Sequence, residues 1–375
     1  MIINFKEKTF FLIFIAILGA FFTISKYNVF NANLLFEVWL ILYCISKASL
    51  KNKNIFFASI FLTYLLIGWI LADPIENKNL SDFIVIYKSF FYFILLLFLR
   101  TDSISSESYN KLFHIICYAF LIKYTTYFLF NFQDLAILPR PAIFTENNLE
   151  LGFLLILLAN YIRINNQISP QHLTYIILII LISGSRSAIL SLFVLLVITY
   201  IKPNRKILIK LFFISAFSVA AFIMFLSRSG GLNIEELDRF MFLKYFMDEI
   251  DTWTFDNFIF GSYPITALSD YNCKLLLYSE TLRSSTGNCY SVVFHSYWLR
   301  VVYDHGMFGL ISQLLIYFYL IRYAPKKFQL VGFLIILING ISVSAFNNIY
   351  LMSGIALVIS TMPKNTRKIH NKSLS

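Results

Sequence analysis

The chain has 375 residues, of which 58% are hydrophobic and only 14% charged. A soluble domain carries about 25% charged residues, so this composition excludes an ordinary water-soluble enzyme. The net charge of +11 does not point to nucleic acid. Its basic residues sit in short segments between apolar runs, the pattern that orients a membrane protein, and no nucleic-acid partner is expected.

A transmembrane helix needs about 20 mostly apolar residues, and lipid forces each span to satisfy its own backbone hydrogen bonds. The alternating pattern of a closed barrel is absent, and runs such as 55–72 and 211–226 are apolar on all sides. The sequence therefore predicts an all-α polytopic integral membrane protein with about twelve transmembrane helices. They fall near residues 9–25, 30–46, 54–72, 81–99, 112–131, 147–162, 172–183, 188–201, 211–226, 295–321, 328–344 and 346–362. Residues 1–375 read as one transmembrane domain, with a large loop at 227–294 between spans 9 and 10. If the amino terminus is cytoplasmic, 19 of the 31 Lys and Arg residues lie on the cytoplasmic side and nine outside. Both termini are then cytoplasmic and the large loop is periplasmic. The first apolar segment has no clear small-x-small cleavage site, so no cleaved leader is expected. No internal repeat is visible, which weakens a transporter reading.

In chain order, Lys88 and Lys123 fall within spans, where each snorkels or pairs; Glu37 is a candidate partner. Cys44 and Cys117 also lie in spans, where a thiol behaves as a small apolar group. The stretch 138–152 leads into span 6. There Arg140 and Glu146 form a ligand-binding pair with Asn147 and Asn148 as donors, or the asparagines simply cap the helix. Ser183-Gly-Ser-Arg186-Ser187 joins two short apolar runs. An arginine in such a turn either snorkels to the interface or binds an anion, and guanidinium suits bidentate phosphate recognition.

The loop opens with an amphipathic helix over 233–251, where Arg239 beside Asp238 is a solvated pair or a ligand-binding cation. A Gly/Pro turn region follows at 255–264, then about thirty irregular residues. Cys273 and Cys289 either form a disulfide in an oxidising compartment or stay as thiols. His295 stands where the chain re-enters the membrane, either as a hydrogen-bonded structural residue or as a general base. Arg300 falls one turn into the span and is expected to pair with Asp304 or another buried carboxylate. Gly306 and Gly309 permit tight packing. No metal-ligand cluster, P-loop or dinucleotide motif appears, so neither a metal nor a cofactor is expected.

At these same places the chain resembles the O-antigen polymerase and ligase superfamily of bacterial inner membranes. The resemblance rests on Ser183-Gly-Ser-Arg-Ser187, on Arg239-Phe-Met-Phe-Leu-Lys running to Phe260-Gly-Ser-Tyr-Pro264, and on His295-Ser-Tyr-Trp-Leu leading to Asp304-His-Gly-Met-Phe-Gly309. The Arg140-to-Gly152 stretch is similar to the segment before the family's next span. These short motifs match in order and spacing across 140–310; the first 130 residues match only in being hydrophobic. Asp304 departs from the Glu frequent in relatives.

The resemblance implies a GT-C-like glycosyltransferase whose donor is an undecaprenyl-diphosphate-linked glycan, used at the periplasmic face without metal or nucleotide sugar. It gives Arg186 and Arg239 the diphosphate and His295 the acceptor hydroxyl, as catalytic residues. Arg140, Glu146, Asn147, Arg300 and Asp304 fall to substrate binding. A polymerase of repeat units is preferred over a ligase acting on lipid A core, with a flippase or permease as the alternative of another class. The bilayer, the lipid-linked oligosaccharide and a chain-length regulator are the partners this implies.

Overall fold

The computed structural model describes residues 7–22, 24–27, 30–72, 79–132, 140–200, 238–275, 284 and 287–363. The predicted span at 211–226 and the stretch 227–237 of the loop lie outside the described residues. The described elements are helical, and the sole β pairing among them is the isolated bridge of Ala48 with Leu99. In order they are α1 (Glu7–Phe21), α2 (Asn33–Ser46), α3 (Asn52–Leu71), α4 (Leu80–Leu97), α5 (Ser106–Phe130), α6 (Asn147–Asn165), α7 (Pro170–Ser183) and α8 (Arg186–Tyr200). The loop contributes α9 (Asp238–Ile250), α10 (Phe255–Phe260), α11 (Asp270–Leu275) and a 3-10 turn (Ser291–Phe294). The chain then returns through α12 (Tyr297–Leu320), α13 (Lys326–Ser342) and α14 (Ile349–Ser360).

Eleven of the twelve predicted apolar segments thus coincide with a helix. Four of these helices, α3, α4, α5 and α12, are long and apolar enough to cross a membrane. Others are short: at 1.5 Å per residue, the 14 residues of α7 extend about 21 Å, less than a hydrocarbon core of about 30 Å. Helix α6 is the central rod. Its residues from Glu150 to Ala159 are buried on every side, as expected of a helix apolar all round, and α5, α8, α13 and α14 pack against it.

The bundle has two chemically different ends. At one, the segments carrying Lys47, Arg100 and Arg163 meet the end of α14. Arg100 N donates to Lys47 O at 3.0 Å and Ser103 N to Ser360 O at 2.8 Å. The Tyr43 hydroxyl donates to Ser360 Oγ at 2.7 Å. At the other end lie the starts of α6, α8 and α12, with the loop residues around them. Within the bundle, Lys88 Nζ pairs with Glu37 Oε1 at 2.6 Å. Lys123 donates to the Lys26 carbonyl at 3.0 Å and the Phe22 carbonyl at 3.3 Å.

The loop builds a small core of its own. Phe242, Tyr245 and Phe246 of α9 pack with Val293, Phe294 and Tyr303, while Phe240, Leu243 and Met247 face outward. That is the two-sided pattern expected of the amphipathic helix, here over 238–250; residues 233–237 lie outside the description. Cys273 and Cys289 are joined as a disulfide, Cα to Cα 6.0 Å. The region 255–264, read as a Gly/Pro turn, instead begins with helix α10. Asn257 Oδ1 accepts from Thr254 N at 3.1 Å and Thr254 Oγ1 at 2.8 Å, and this reciprocal capping starts the helix. The irregular stretch after it also contains α11 and the 3-10 turn.

Helix α12 covers the span expected at 295–321 and is broken within it. Gly306 has φ 61° and ψ −166°, which breaks the helix. The hydroxyl of Tyr297 donates to Gln313 Oε1 across that break. In a straight helix these residues would stand about 24 Å apart along the axis, farther than both side chains together can reach. The two halves therefore fold toward each other. The Gly261 turn after α10 seats against 304–306, and Ser262 N donates to the Tyr303 carbonyl at 2.7 Å, a group the break has freed.

Candidate functional site

The site begins with a buried carboxylate. Glu150, fully buried in the first turn of α6, accepts the backbone N–H of Ile143 at 2.8 Å and of Phe144 at 2.8 Å, and the Tyr124 hydroxyl at 2.8 Å. These bonds fold the segment carrying Arg140 and Glu146 back over the start of α6. Thr145 adds a 2.7 Å contact to the Tyr350 hydroxyl, and its carbonyl accepts from Tyr27 at 2.8 Å. Glu150 received no role from the sequence.

Two motifs distant in sequence then meet. Asn147 Nδ2 donates to the Ser183 carbonyl at 3.0 Å, and Ser185 Oγ donates to Asn148 Oδ1 at 2.8 Å. Neither asparagine caps α6: Glu146 holds the N-cap position, and its side chain makes no capping bond. The turn at 183–185 is buried, with Gly184 left-handed at φ 57°, and Arg186 opens α8 half-buried. Backbone N–H groups at a helix start favour anions, so an arginine there adds to a positive environment. Burial pushes the Glu146 carboxyl above its ordinary range; the Asn148 amide at 3.3 Å and the Arg140 charge oppose the shift without cancelling it.

His295 lies in the left-handed region (φ 46°), between the 3-10 turn and α12. Its ring meets Phe242 of α9 at 5.5 Å between centroids. The next residue ties this turn to α13, because Ser296 Oγ donates to the Gly340 carbonyl at 3.4 Å. Trp298 Nε1 continues the contact to the Leu337 carbonyl at 2.9 Å. Asp304 accepts the Ser291 hydroxyl at 2.6 Å.

The expected ion pair of Arg300 with Asp304 is absent: no carboxylate lies within 4.0 Å of the Arg300 guanidinium among the described residues. The turn at 291–294 brings the Ser291 hydroxyl to the carboxylate instead, while the Arg300 and Asp304 charges still act on each other at longer range. Arg300 Nε is buried without a hydrogen-bond partner among the described residues.

Helix α13 relates the two halves of the site. Lys327 Nζ donates to the Thr199 carbonyl at 2.6 Å, so the start of α13 lies beside the end of α8. The two helices pack together and run antiparallel, so 13 residues back along α8, Arg186 comes level with about Gly340. That is the residue Ser296 touches. Arg186 and His295 thus share one end of the bundle and flank the end of α13. Asn348 Nδ2, just before α14, donates to the Leu149 carbonyl at 2.8 Å and binds the start of α6 into the same end. Arg239 is the second residue of α9, about one turn before Phe242; its side chain lies outside the described residues.

His305, inside the quoted motif but without an assigned role, is a buried anchor. Tyr64 Oη and His305 Nδ1 lie 3.0 Å apart, and Nε2 faces the Ile86 carbonyl at 3.2 Å. These contacts fix the first half of α12 against α3 and α4. Comparison with protein-family models, with curated proteins and with solved structures finds no match.

Proposed function

We propose that this chain is a twelve-span O-antigen polymerase of the bacterial inner membrane, joining undecaprenyl-diphosphate-linked repeat units at the periplasmic face in a GT-C-like bundle. The observation that supports it most is the arrival of Arg186 and His295, 109 positions apart in sequence, at the same end of α13. The anion-binding group there opens α8 and the proton-accepting group stands in the turn before α12. The motif resemblance supplies the substrate class, and both termini are assigned to the cytoplasm from the distribution of Lys and Arg.

In the proposed reaction an acceptor-sugar hydroxyl attacks the anomeric carbon of the donor. The new carbon–oxygen bond forms as the bond to the diphosphate breaks, with inversion. Undecaprenyl diphosphate leaves with the electron pair, and the proton passes to His295. Arg186 and Arg239 neutralise the charge that grows on the diphosphate. Arg140, Glu146, Asn147, Arg300 and Asp304 position the sugars, Arg300 toward an anionic group. The test is deletion of the gene followed by electrophoresis of lipopolysaccharide beside extracted lipid-linked glycans. Core carrying one repeat unit supports the polymerase. Bare core with long chains left on the carrier would assign a ligase, and single units trapped on the cytoplasmic side a flippase.

A further inference from the structure

The break at Gly306 leaves the second half of α12 too short to cross a bilayer alone. From Gly306 to Leu320 the chain rises about 21 Å, against a hydrocarbon core of about 30 Å. Arg322, stacked over the rings of Tyr319 and Tyr323, has the character of an interfacial anchor at the far end. Two neighbours place the break at the same depth. His305 meets Tyr64 of α3 and faces the Ile86 carbonyl of α4. Those residues stand seven and six positions inside Leu71 and Leu80, the loop-side ends of their helices, about 9–11 Å along the axes.

Helix α10 seats at that level. A Cβ on Gly306 would run into the Ile259 carbonyl and the Gly261 amide, and the rings of Phe260 and Phe308 lie 6.1 Å apart. Phe308 in turn meets Tyr64 at 6.0 Å. Around this contact Met307, Phe308, Ile311 and Leu315 of α12 and Ile60, Ile67 and Leu71 of α3 point outward. Both helices are long and apolar enough to cross a membrane, so this is a lipid-facing surface. Phe258 and Phe260, both exposed, continue it onto the loop, and Phe255 and Tyr263, 77% and 73% exposed, extend it. Four large aromatic groups bared together mark a contact surface.

We infer that α10 is embedded in the loop-side leaflet of the bilayer, with Phe258 and Phe260 against acyl chains. That depth is typical of interfacial helices, which bury about 5–10 Å. The backbone is prepared for it, because polar groups in lipid must find partners within the protein. Thr254 N donates to Asn257 Oδ1 at 3.1 Å, Gly261 N to the Asn257 carbonyl at 2.7 Å, and Ser262 N to the Tyr303 carbonyl at 2.7 Å. Asp256, exposed in the first turn of α10, stands about 8 Å along the helix from Gly261 and lies at the head groups. The inference needs only that the bundle sits in a membrane, and it stands whether or not the chain is a polymerase.

The test uses full-length protein in vesicles of phosphatidylglycerol and phosphatidylcholine, with a nitroxide attached in turn to Phe258→Cys, Phe260→Cys, Ile67→Cys and Asp270→Cys. Power saturation reads collision with oxygen, which enters lipid, and with a nickel chelate confined to water. The parent chain, whose Cys44 and Cys117 are buried, sets the labelling background. Ile67 on α3 is the lipid reference, and Asp270, exposed at the start of α11, the water reference. Labels at 258 and 260 are expected to match Ile67→Cys, with oxygen collision high and chelate collision lost. Chelate collision equal to that of Asp270→Cys would overturn the inference by placing α10 in water. Low collision with both reagents would overturn it too, because protein rather than lipid would then cover the helix. If Phe260→Cys fails to insert, Phe258→Cys decides on the same readings.

Discussion

The Ser185 hydroxyl donates to Asn148 Oδ1 at 2.8 Å, closing a gap of 37 residues and joining the start of α6 to the turn that carries Arg186. Ser185 is fully buried, so the bond holds Arg186 against the segment of Arg140 and Glu146. Ser185→Ala leaves the half-buried Asn148 Oδ1 without this donor, a loss of about 1 kcal/mol. Melting of Ser185→Ala, Asn148→Ala and the double variant should give a coupling of about 1 kcal/mol. Strict additivity would show that the bond does not hold the two motifs together.

Gly306 occupies a backbone region open essentially to glycine alone, which for other residues costs about 1–3 kcal/mol. A Cβ there would also run into the Ile259 carbonyl and the Gly261 amide. Gly306→Ala should therefore lower melting or membrane yield sharply. Gly152→Ala should cost little, since its Cβ would sit 3.4 Å from Asn339 in ordinary contact. Equal behaviour of the two variants would argue against the break in α12.

Glu146 titrates above its ordinary range because it is buried. A carboxyl whose folded pKa exceeds its unfolded value, about 4.3 for Glu, contributes most stability below that unfolded value. The contribution is lost as pH rises through the folded pKa. Glu146→Gln should thus gain on the parent in melting temperature from pH 4 to pH 7, while losing polymer formation if the carboxylate binds sugar. A difference that shrinks with rising pH would contradict the burial.

The Cys273–Cys289 bond links the end of the loop to the turn before His295. Removing such a crosslink typically costs about 2–4 kcal/mol. Cys289→Ser should loosen the loop, seen as faster proteolysis within 238–294, and reduce activity. Cys44 and Cys117 are buried thiols remote from the loop in sequence, and Ser at either should leave the loop's protease pattern unchanged.

The helices were legible because hydrophobic runs bounded by charges have one solution in lipid. The Lys88–Glu37 pair was legible because an in-span cation needs a partner. The expected Arg300–Asp304 contact did not form although both residues lie in the first half of α12, before the break: the loop turn at 291–294 brings the Ser291 hydroxyl to the Asp304 carboxylate, a partner that i, i+4 spacing does not reveal. Glu150 was invisible for a related reason: two of its donors are backbone groups of a segment that folds only around it. The start of α10 did have a sequence signal in Thr254 and Asn257, masked by the Gly and Pro that follow. For the site, Asn147, Asn148 and the turn of Arg186 met as neighbours, whereas their link to His295 runs through α13, which carries no motif.

The central claim is that Arg186 and His295 serve one glycosyl-transfer site. The most direct measurement is complementation of a gene deletion with Arg186→Ala, Arg186→Lys and His295→Ala, each quantified in the membrane, followed by lipopolysaccharide electrophoresis. The account predicts core with a single repeat unit and no ladder from all three, at parental protein levels. Full ladders from both Arg186→Ala and His295→Ala would contradict it.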